Sequence, residues 1–192
     1  MDSCPVFSPT GGPNTPTHAW TVLHTKSRQE KALATSLESM GITHYLPLMR
    51  VARFHGHRKV YVEVPVFSSY LFLWSTPEEA YRADQTKRVV KILRVENQKK
   101  LEWEIANLRL ALNHATCLLP HPYLEKGTRV EVRSGPFRGL QGVVDRHKSH
   151  DMLILQVESF WRAVSLEIDS SLLEVIDCSE TGRLVAHSSS AR

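Results

Sequence analysis

Aromatic side chains recur at short intervals in the segment VFSSYLFLW, near the middle of the chain. Tyr70 and Phe72 are two positions apart, so in a strand their side chains lie on the same face, and Phe67 stands three positions before Tyr70. Rings in such a pattern either belong to a hydrophobic core or form rigid anchors on a surface that binds another protein. The spacing by itself leaves both interpretations open.

Charged and polar residues around the first predicted helix form a second candidate site. His24 ends the strand before this helix, and Lys26, Arg28 and Lys31 open the helix. A solvated surface is the ordinary interpretation of such residues. The alternative is contact with a nucleic-acid backbone, which would depend on salt and be largely independent of base sequence.

No pattern in the sequence indicates catalysis. His55 and His57 flank a glycine but lack the third and fourth ligands that a zinc site needs, so the segment FHGHR is predicted to be a hairpin tip. The sequence also contains no recognisable nucleophile–base pair or phosphate-binding loop. We therefore expect a protein that is not an enzyme and that has no metal or cofactor.

Composition restricts the class of protein. The 192 residues are 42% hydrophobic and 23% charged, which suits one ordinary domain or two small ones of a soluble protein. The net charge of +4 is compatible with a polyanionic partner without requiring one. The sequence shows neither a secretory signal nor a bilayer-spanning apolar run, and its three cysteines include no Cys-x-x-Cys pair. We expect a cytoplasmic protein that makes no membrane contact.

The pattern of residues 19–114 predicts a mixed domain of strands and helices. Ser27 and Glu30 match a capping box for the first helix, and Thr76 with Pro77 marks the start of a second helix. Residues 97–114 carry an apolar stripe that predicts a third helix. Four runs predict strands: AWTVLHT, ITHYLPLMRV, VYVEVPVFSSYLFLW and RVVKILRV. The order predicts an α+β sandwich with an antiparallel-rich sheet and flanking helices.

Short β-runs dominate residues 127–177. They predict a small β-barrel, and the runs are 128–133, 140–146, 152–157, 162–168 and 172–176. The turn between the first two runs contains Gly135, Pro136 and Gly139.

The segments that flank these two bodies differ from them in composition. Residues 115–126 contain two prolines and are predicted to be a linker. Residues 1–18 and 178–192 have little apolar content, so we expect disordered tails.

Two parts of the sequence resemble the NusG family of transcription factors. KGTRVEVRSGPFRGLQGVVDR resembles the KOW motif at the start of that family's C-terminal SH3-like barrel. AWTVLHTKSRQEKA and VPVFSSYLFLW resemble strands of its N-terminal domain, whose pattern Pro-x-Phe-x-x-Tyr-x-Phe is met at Pro65, Phe67, Tyr70 and Phe72. The resemblance covers residues 19–177 in the family order, and the segment YLPLMR resembles specialised RfaH-like antiterminators more closely than general NusG.

The resemblance implies a role for the first domain in transcription elongation and antitermination. In this family the N-terminal domain binds the clamp helices of RNA polymerase, which suppresses pausing. The implied polymerase-binding residues are Tyr70, Phe72, Phe67 and His24. The implied contacts with non-template DNA are Lys26, Arg28 and Lys31, and we expect a monomer without catalytic activity.

For the second domain the resemblance implies a further protein partner. In this family the KOW domain recruits a ribosomal protein or Rho, and the matching positions here are Phe160 and Arg162, with Phe137 beside them as a candidate. The many β-branched residues favour a permanent barrel over a domain that changes fold. The alternative function is a KOW-type RNA-binding protein that acts on the ribosome or on structured RNA, which leaves the first domain unexplained.

Overall fold

The structure is a computed structural model, and it describes residues 17–56, 58–114, 118–121, 127–146 and 151–176. The predictions of disorder at both ends of the chain, and His57 of the predicted hairpin tip, lie outside the described residues. Contacts divide the chain into two units. The first contains the residues up to Ile105 together with Glu158–Phe160, and the second contains the rest.

The first unit has an α+β fold, as the sequence predicts. Its four-stranded antiparallel sheet has the order β2-β5-β1-β6, and β3 and β4 form a separate two-stranded hairpin. The elements are β1 (Ala19–Thr25), α1 (Glu30–Ser39), β2 (His44–Tyr45), β3 (Leu48–His55), β4 (Arg58–Pro65), β5 (Tyr70–Ser75), α2 (Pro77–Asp84), β6 (Val89–Arg94) and the first part of α3 (Gln98–His114), whose residues from Ala106 onward belong to the second unit. Each of the two long predicted strands is divided in two: the first into β2 and β3, and the second into β4 and β5. Strands β3 and β4 therefore form the hairpin, while β2 and β5 stay in the sheet.

The four-stranded sheet has an aliphatic face and an aromatic face. In β5 the buried residues Leu71 and Leu73 alternate with Tyr70 and Phe72, so the two sets point to opposite sides. The leucines form one core cluster with residues of α1 and α2, which are Leu33, Leu37, Ala80 and Ala83. Helices α1 and α2 therefore cover the aliphatic face, and the rings lie on the other.

The two helix starts differ in how well local sequence describes them. In α2, Thr76 accepts a hydrogen bond from the Glu79 N–H, and the Glu79 carboxylate accepts one from the Thr76 N–H, at 3.3 and 2.9 Å. This capping box is confirmed. The capping box predicted for α1 is wrong, because the helix begins only at Glu30 and has no side-chain cap. The Glu30 carboxylate has a partner elsewhere in the fold.

The second unit is a sheet of six strands in the order β12-β8-β9-β10-β11-β7. Five strands match the predicted runs closely: β8 (Thr128–Val132), β9 (Gln141–Arg146), β10 (Asp151–Val157), β11 (Arg162–Glu167) and β12 (Leu173–Val175). A sixth strand, β7 (Leu119–His121), lies inside the predicted linker and pairs with β11. The sheet is open across the described residues, so a closed barrel is not confirmed.

The turn between β8 and β9 has the chemistry that its sequence predicts. Gly135 and Gly139 have φ angles of 80° and 85°, in the left-handed region that glycine adopts without a steric penalty. The Gly139 N–H donates a hydrogen bond of 2.8 Å to the carbonyl oxygen of Val132, which closes the turn at the end of β8.

Candidate functional site

The aromatic face of the first unit brings several predicted site residues together. His24 of β1 is the register partner of Tyr70 of β5, and their rings stack with centroids 5.1 Å apart at 21°. One step further along the sheet, Tyr45 and Phe72 are also paired and stack at 6.0 Å. The antiparallel register therefore assembles a continuous row of rings from three strands.

The four residues predicted to bind polymerase differ in accessibility. Phe72 and Phe67 are 0% and 5% exposed, so both belong to the interior of the unit. His24 and Tyr70 are half-buried. Tyr70 and His24 are therefore the better candidates for direct contact, and Phe72 and Phe67 are interior residues.

Phe160, predicted to bind a different partner, packs on the same face. Its ring stacks on Tyr70 with centroids 4.4 Å apart and contacts Phe67 and Phe72 at 5.3 and 5.8 Å. It is 7% exposed. Sequence reasoning did not anticipate this cluster, because nothing local to residue 160 indicates a partner so distant along the chain.

The segment that carries Phe160 is held by polar contacts as well. The Glu158 N–H donates a hydrogen bond of 3.2 Å to the Glu104 carboxylate, and the Glu158 side chain forms an ion pair with Lys100. Lys100 and Glu104 both lie on α3. The segment Glu158–Phe160 is therefore anchored within the first unit at both of its ends.

A buried carboxylate fixes the backbone immediately before Tyr70. Glu30 is 6% exposed and accepts a hydrogen bond of 2.6 Å from the Ser69 N–H. Ser69 has a φ angle of 67°, and its carbonyl oxygen accepts a hydrogen bond of 2.8 Å from the Thr25 N–H. These contacts hold a strained bend from which β5 starts, and so they set the position of the Tyr70 ring.

We expect Glu30→Ala to lower the free energy of unfolding by about 1–3 kcal/mol, because the Ser69 N–H would lose the carboxylate that accepts its hydrogen bond in a partly buried site. Glu30→Gln retains a carbonyl acceptor and should cost less. Glu38→Ala, at an exposed position of the same helix, is the matched control and should stay within about 0.5 kcal/mol of wild type. Urea unfolding measures all three, and equal stability of Glu30→Ala and Glu38→Ala would contradict the role of Glu30.

The predicted DNA-contacting residues lie on the surface near α1. Lys26 and Arg28 stand in the turn before the helix, so the prediction that they open it is wrong by a few residues, while Lys31 is in its first turn. All three are exposed. The Lys31 ammonium donates a hydrogen bond of 2.8 Å to the carbonyl oxygen of Glu63, at the base of the β3–β4 hairpin.

The remaining candidates of the second domain are in the second unit. Phe137 is half-buried and meets His114 edge-on at 6.1 Å, and Arg162 is exposed at the start of β11. Near β12, hydrogen bonds from the backbone N–H and hydroxyl of Ser171 hold the pKa of Asp169 below its usual value. Phe160 belongs to the first unit, whereas Phe137 and Arg162 belong to the second.

The described ranges of the chain contain no group of three or more histidine, cysteine, aspartate or glutamate residues arranged to hold a metal ion. Within those same ranges, the helices are too short or too polar to cross a membrane.

Comparison with known proteins identifies a family and a number of similar solved structures. Residues 18–109 match the family model "NusG: Transcription termination factor nusG". A solved structure described as "Domain interaction in Thermotoga maritima NusG" has 17% identity and a TM-score of 0.47, and the match covers 84% of this chain and 98% of that chain. None of the curated proteins matches the chain significantly.

The matched range runs from the start of β1 into α3, and so includes the four-stranded sheet, its aromatic face and the hairpin. Proteins of this family are transcription factors rather than enzymes, and they interact with RNA polymerase in general. Residues 18–109 therefore form a domain of the NusG family.

Proposed function

We propose that this protein is an elongation and antitermination factor whose aromatic face binds the clamp helices of RNA polymerase. The observation that carries the proposal is the stacked pair of His24 and Tyr70, at 5.1 Å, on the sheet face opposite α1 and α2. Rigid, partly accessible rings suit a contact with a helical partner, where a few anchors supply most of the affinity.

Binding at this face requires the Phe160 ring to move. It stacks at 4.4 Å on Tyr70, so a polymerase helix and Phe160 would compete for the same ring surface. Phe160→Ala should therefore bind core polymerase more tightly than wild type. Trp161→Ala, at a neighbouring side chain that is 60% exposed, is the control and should leave the affinity unchanged.

Titration of labelled protein with core polymerase measures this effect, and circular dichroism checks that Phe160→Ala is folded. Weaker binding by the folded variant would show that Phe160 is part of the polymerase-binding surface instead of a competitor for it.

The proposal extends to both nucleic acid and a second protein. Lys26, Arg28 and Lys31 would contact non-template DNA through its backbone.

We propose that the second unit is a KOW domain of the SH3-like barrel class, in residues 127–177, and that it binds a ribosomal protein or Rho. Phe137 and Arg162 are its surface candidates, and Phe160 would join them once released. The resemblance of the segment YLPLMR to RfaH-like paralogs supports the proposal that this factor acts on selected operons.

The experiment that tests the proposal is transcription by purified bacterial RNA polymerase on a template with a pause site and a terminator. Addition of the protein should shorten the pause and increase read-through. Increased termination would contradict the antitermination role while keeping the family assignment. If the protein neither binds polymerase nor changes elongation, the RNA-binding alternative would take its place.

A further inference from the structure

The β3–β4 hairpin presents two sets of side chains on opposite faces. Its strands pair in continuous register from Leu48↔Pro65 to His55↔Arg58, apart from the four-stranded sheet. Directly paired residues share a face in an antiparallel ladder. One face, which we name the stacking face, contains the pairs Arg50↔Glu63, Ala52↔Tyr61 and Phe54↔Lys59.

Two aromatic rings on the stacking face are exposed to solvent. Phe54 is 72% exposed and Tyr61 is 56% exposed, although both are large side chains that would ordinarily be buried. The register places them as diagonal neighbours, within reach of each other across the ladder. Two exposed aromatic rings therefore lie on one face of the hairpin.

Two basic groups lie close to one of these rings, that of Tyr61. The Arg50 guanidinium carbon is 5.6 Å from the centre of the Tyr61 ring, and the Lys59 ammonium nitrogen is 5.3 Å from it. Both distances are within the range of a cation–π interaction. The Tyr61 ring is therefore oriented by two cations while much of its surface stays open.

The two strands of the hairpin have a net positive charge. Strands β3 and β4 contain four arginine or lysine residues and a single acidic residue, Glu63. The formal charge of these two strands is thus +3, against +4 for the whole protein. Such a field attracts a polyanion.

We propose that the stacking face binds single-stranded nucleic acid, with bases on Phe54 and Tyr61 and phosphates on Arg50 and Lys59. Flat rings beside basic groups are the arrangement by which single strands are held without sequence preference. A duplex keeps its base faces stacked internally, and an acidic peptide has no flat rings to place on Phe54 and Tyr61. The site needs no polymerase and differs from the α1 residues proposed to contact DNA.

The test is fluorescence anisotropy with the full-length protein and a labelled oligothymidylate about 16 nucleotides long, the upper site size of a typical single-strand-binding domain. Tyr61→Ala should weaken binding by roughly 5- to 150-fold, the range for loss of one base-stacking ring. Tyr61→Phe keeps the ring and should bind like wild type. Val60→Ala changes an exposed residue of the opposite face and is the matched control.

Salt dependence tests the charges separately from the rings. Arg50→Ala should reduce the slope of log affinity against log salt by about 0.7, the contribution of one phosphate contact to a single strand. Tyr61→Phe and Val60→Ala should leave that slope unchanged. Oligouridylate of the same length shows whether RNA or DNA is the preferred strand.

Several results would overturn the proposal. They are no binding by the wild-type protein, equal or tighter binding to a duplex of the same length, or unchanged binding by Tyr61→Ala. Because polymerase is absent from this assay, its outcome is independent of the proposed function. Tyr70→Ala, which tests the polymerase contact, should bind the oligonucleotide like wild type.

Discussion

Tyr70→Ala is expected to weaken binding to core RNA polymerase by about 30-fold or more, the effect of losing one interface hot spot. Tyr70 combines the properties of such a residue, because it is partly exposed, its ring stacks on His24, and the bend at Ser69 holds the start of its strand. Removing the ring would eliminate the central anchor of the aromatic face. Titration of labelled protein with core polymerase measures the loss.

Two further variants make the Tyr70 experiment specific. Tyr70→Phe retains the stacked ring and should bind nearly as tightly as wild type. Val90→Ala removes an exposed apolar side chain from the edge strand of the same sheet and should have no effect on binding. Circular dichroism and thermal melting establish that the variants are folded. If folded Tyr70→Ala binds like wild type, the aromatic face is not the polymerase-binding surface.

Phe72→Ala is expected to act on stability rather than on binding. The Phe72 side chain is 0% exposed and lies between the rings of Tyr45 and Phe160, at 6.0 and 5.8 Å. Replacing a buried phenylalanine by alanine costs about 3–5 kcal/mol, through lost burial and the cavity left behind. Urea unfolding should therefore show a marked decrease in the free energy of unfolding.

Phe54→Ala is the matched control for the stability experiment, because it removes the same side chain from a position that is 72% exposed. It should change the free energy of unfolding by no more than about 0.5 kcal/mol. A loss of similar size in both variants would contradict the interpretation of Phe72 as a core residue. A small loss in Phe72→Ala would have the same consequence.

These two predictions separate residues that the sequence treats alike. Tyr70 and Phe72 occur in one strand and on one face, and the family pattern assigns both to polymerase binding. The structure places Phe72 deeper, because it lies in the middle of the sheet and rings cover it from two sides. Position along a strand gives the face of a side chain but not its depth, which depends on neighbouring elements.

Local chemistry predicted many elements correctly. Thr76, Pro77 and Glu79 start α2 because each group of the capping box lies within a few residues of its partner. The β-runs of the second unit are short, alternating and bounded by turn residues, so their limits are also local. The left-handed glycines of the β8–β9 turn were also predictable from local sequence.

What the sequence by itself determined, then, is the set of elements and the two faces of β5, since both depend on neighbours within a few positions. Tertiary structure alone decided the bend between β4 and β5, the partner of Glu30 and the place of Phe160. Glu30 and Ser69 are 39 positions apart, and Tyr70 and Phe160 are farther still. Contacts at such separations form only when whole elements pack, because their gain must offset the entropy of closing long loops of chain.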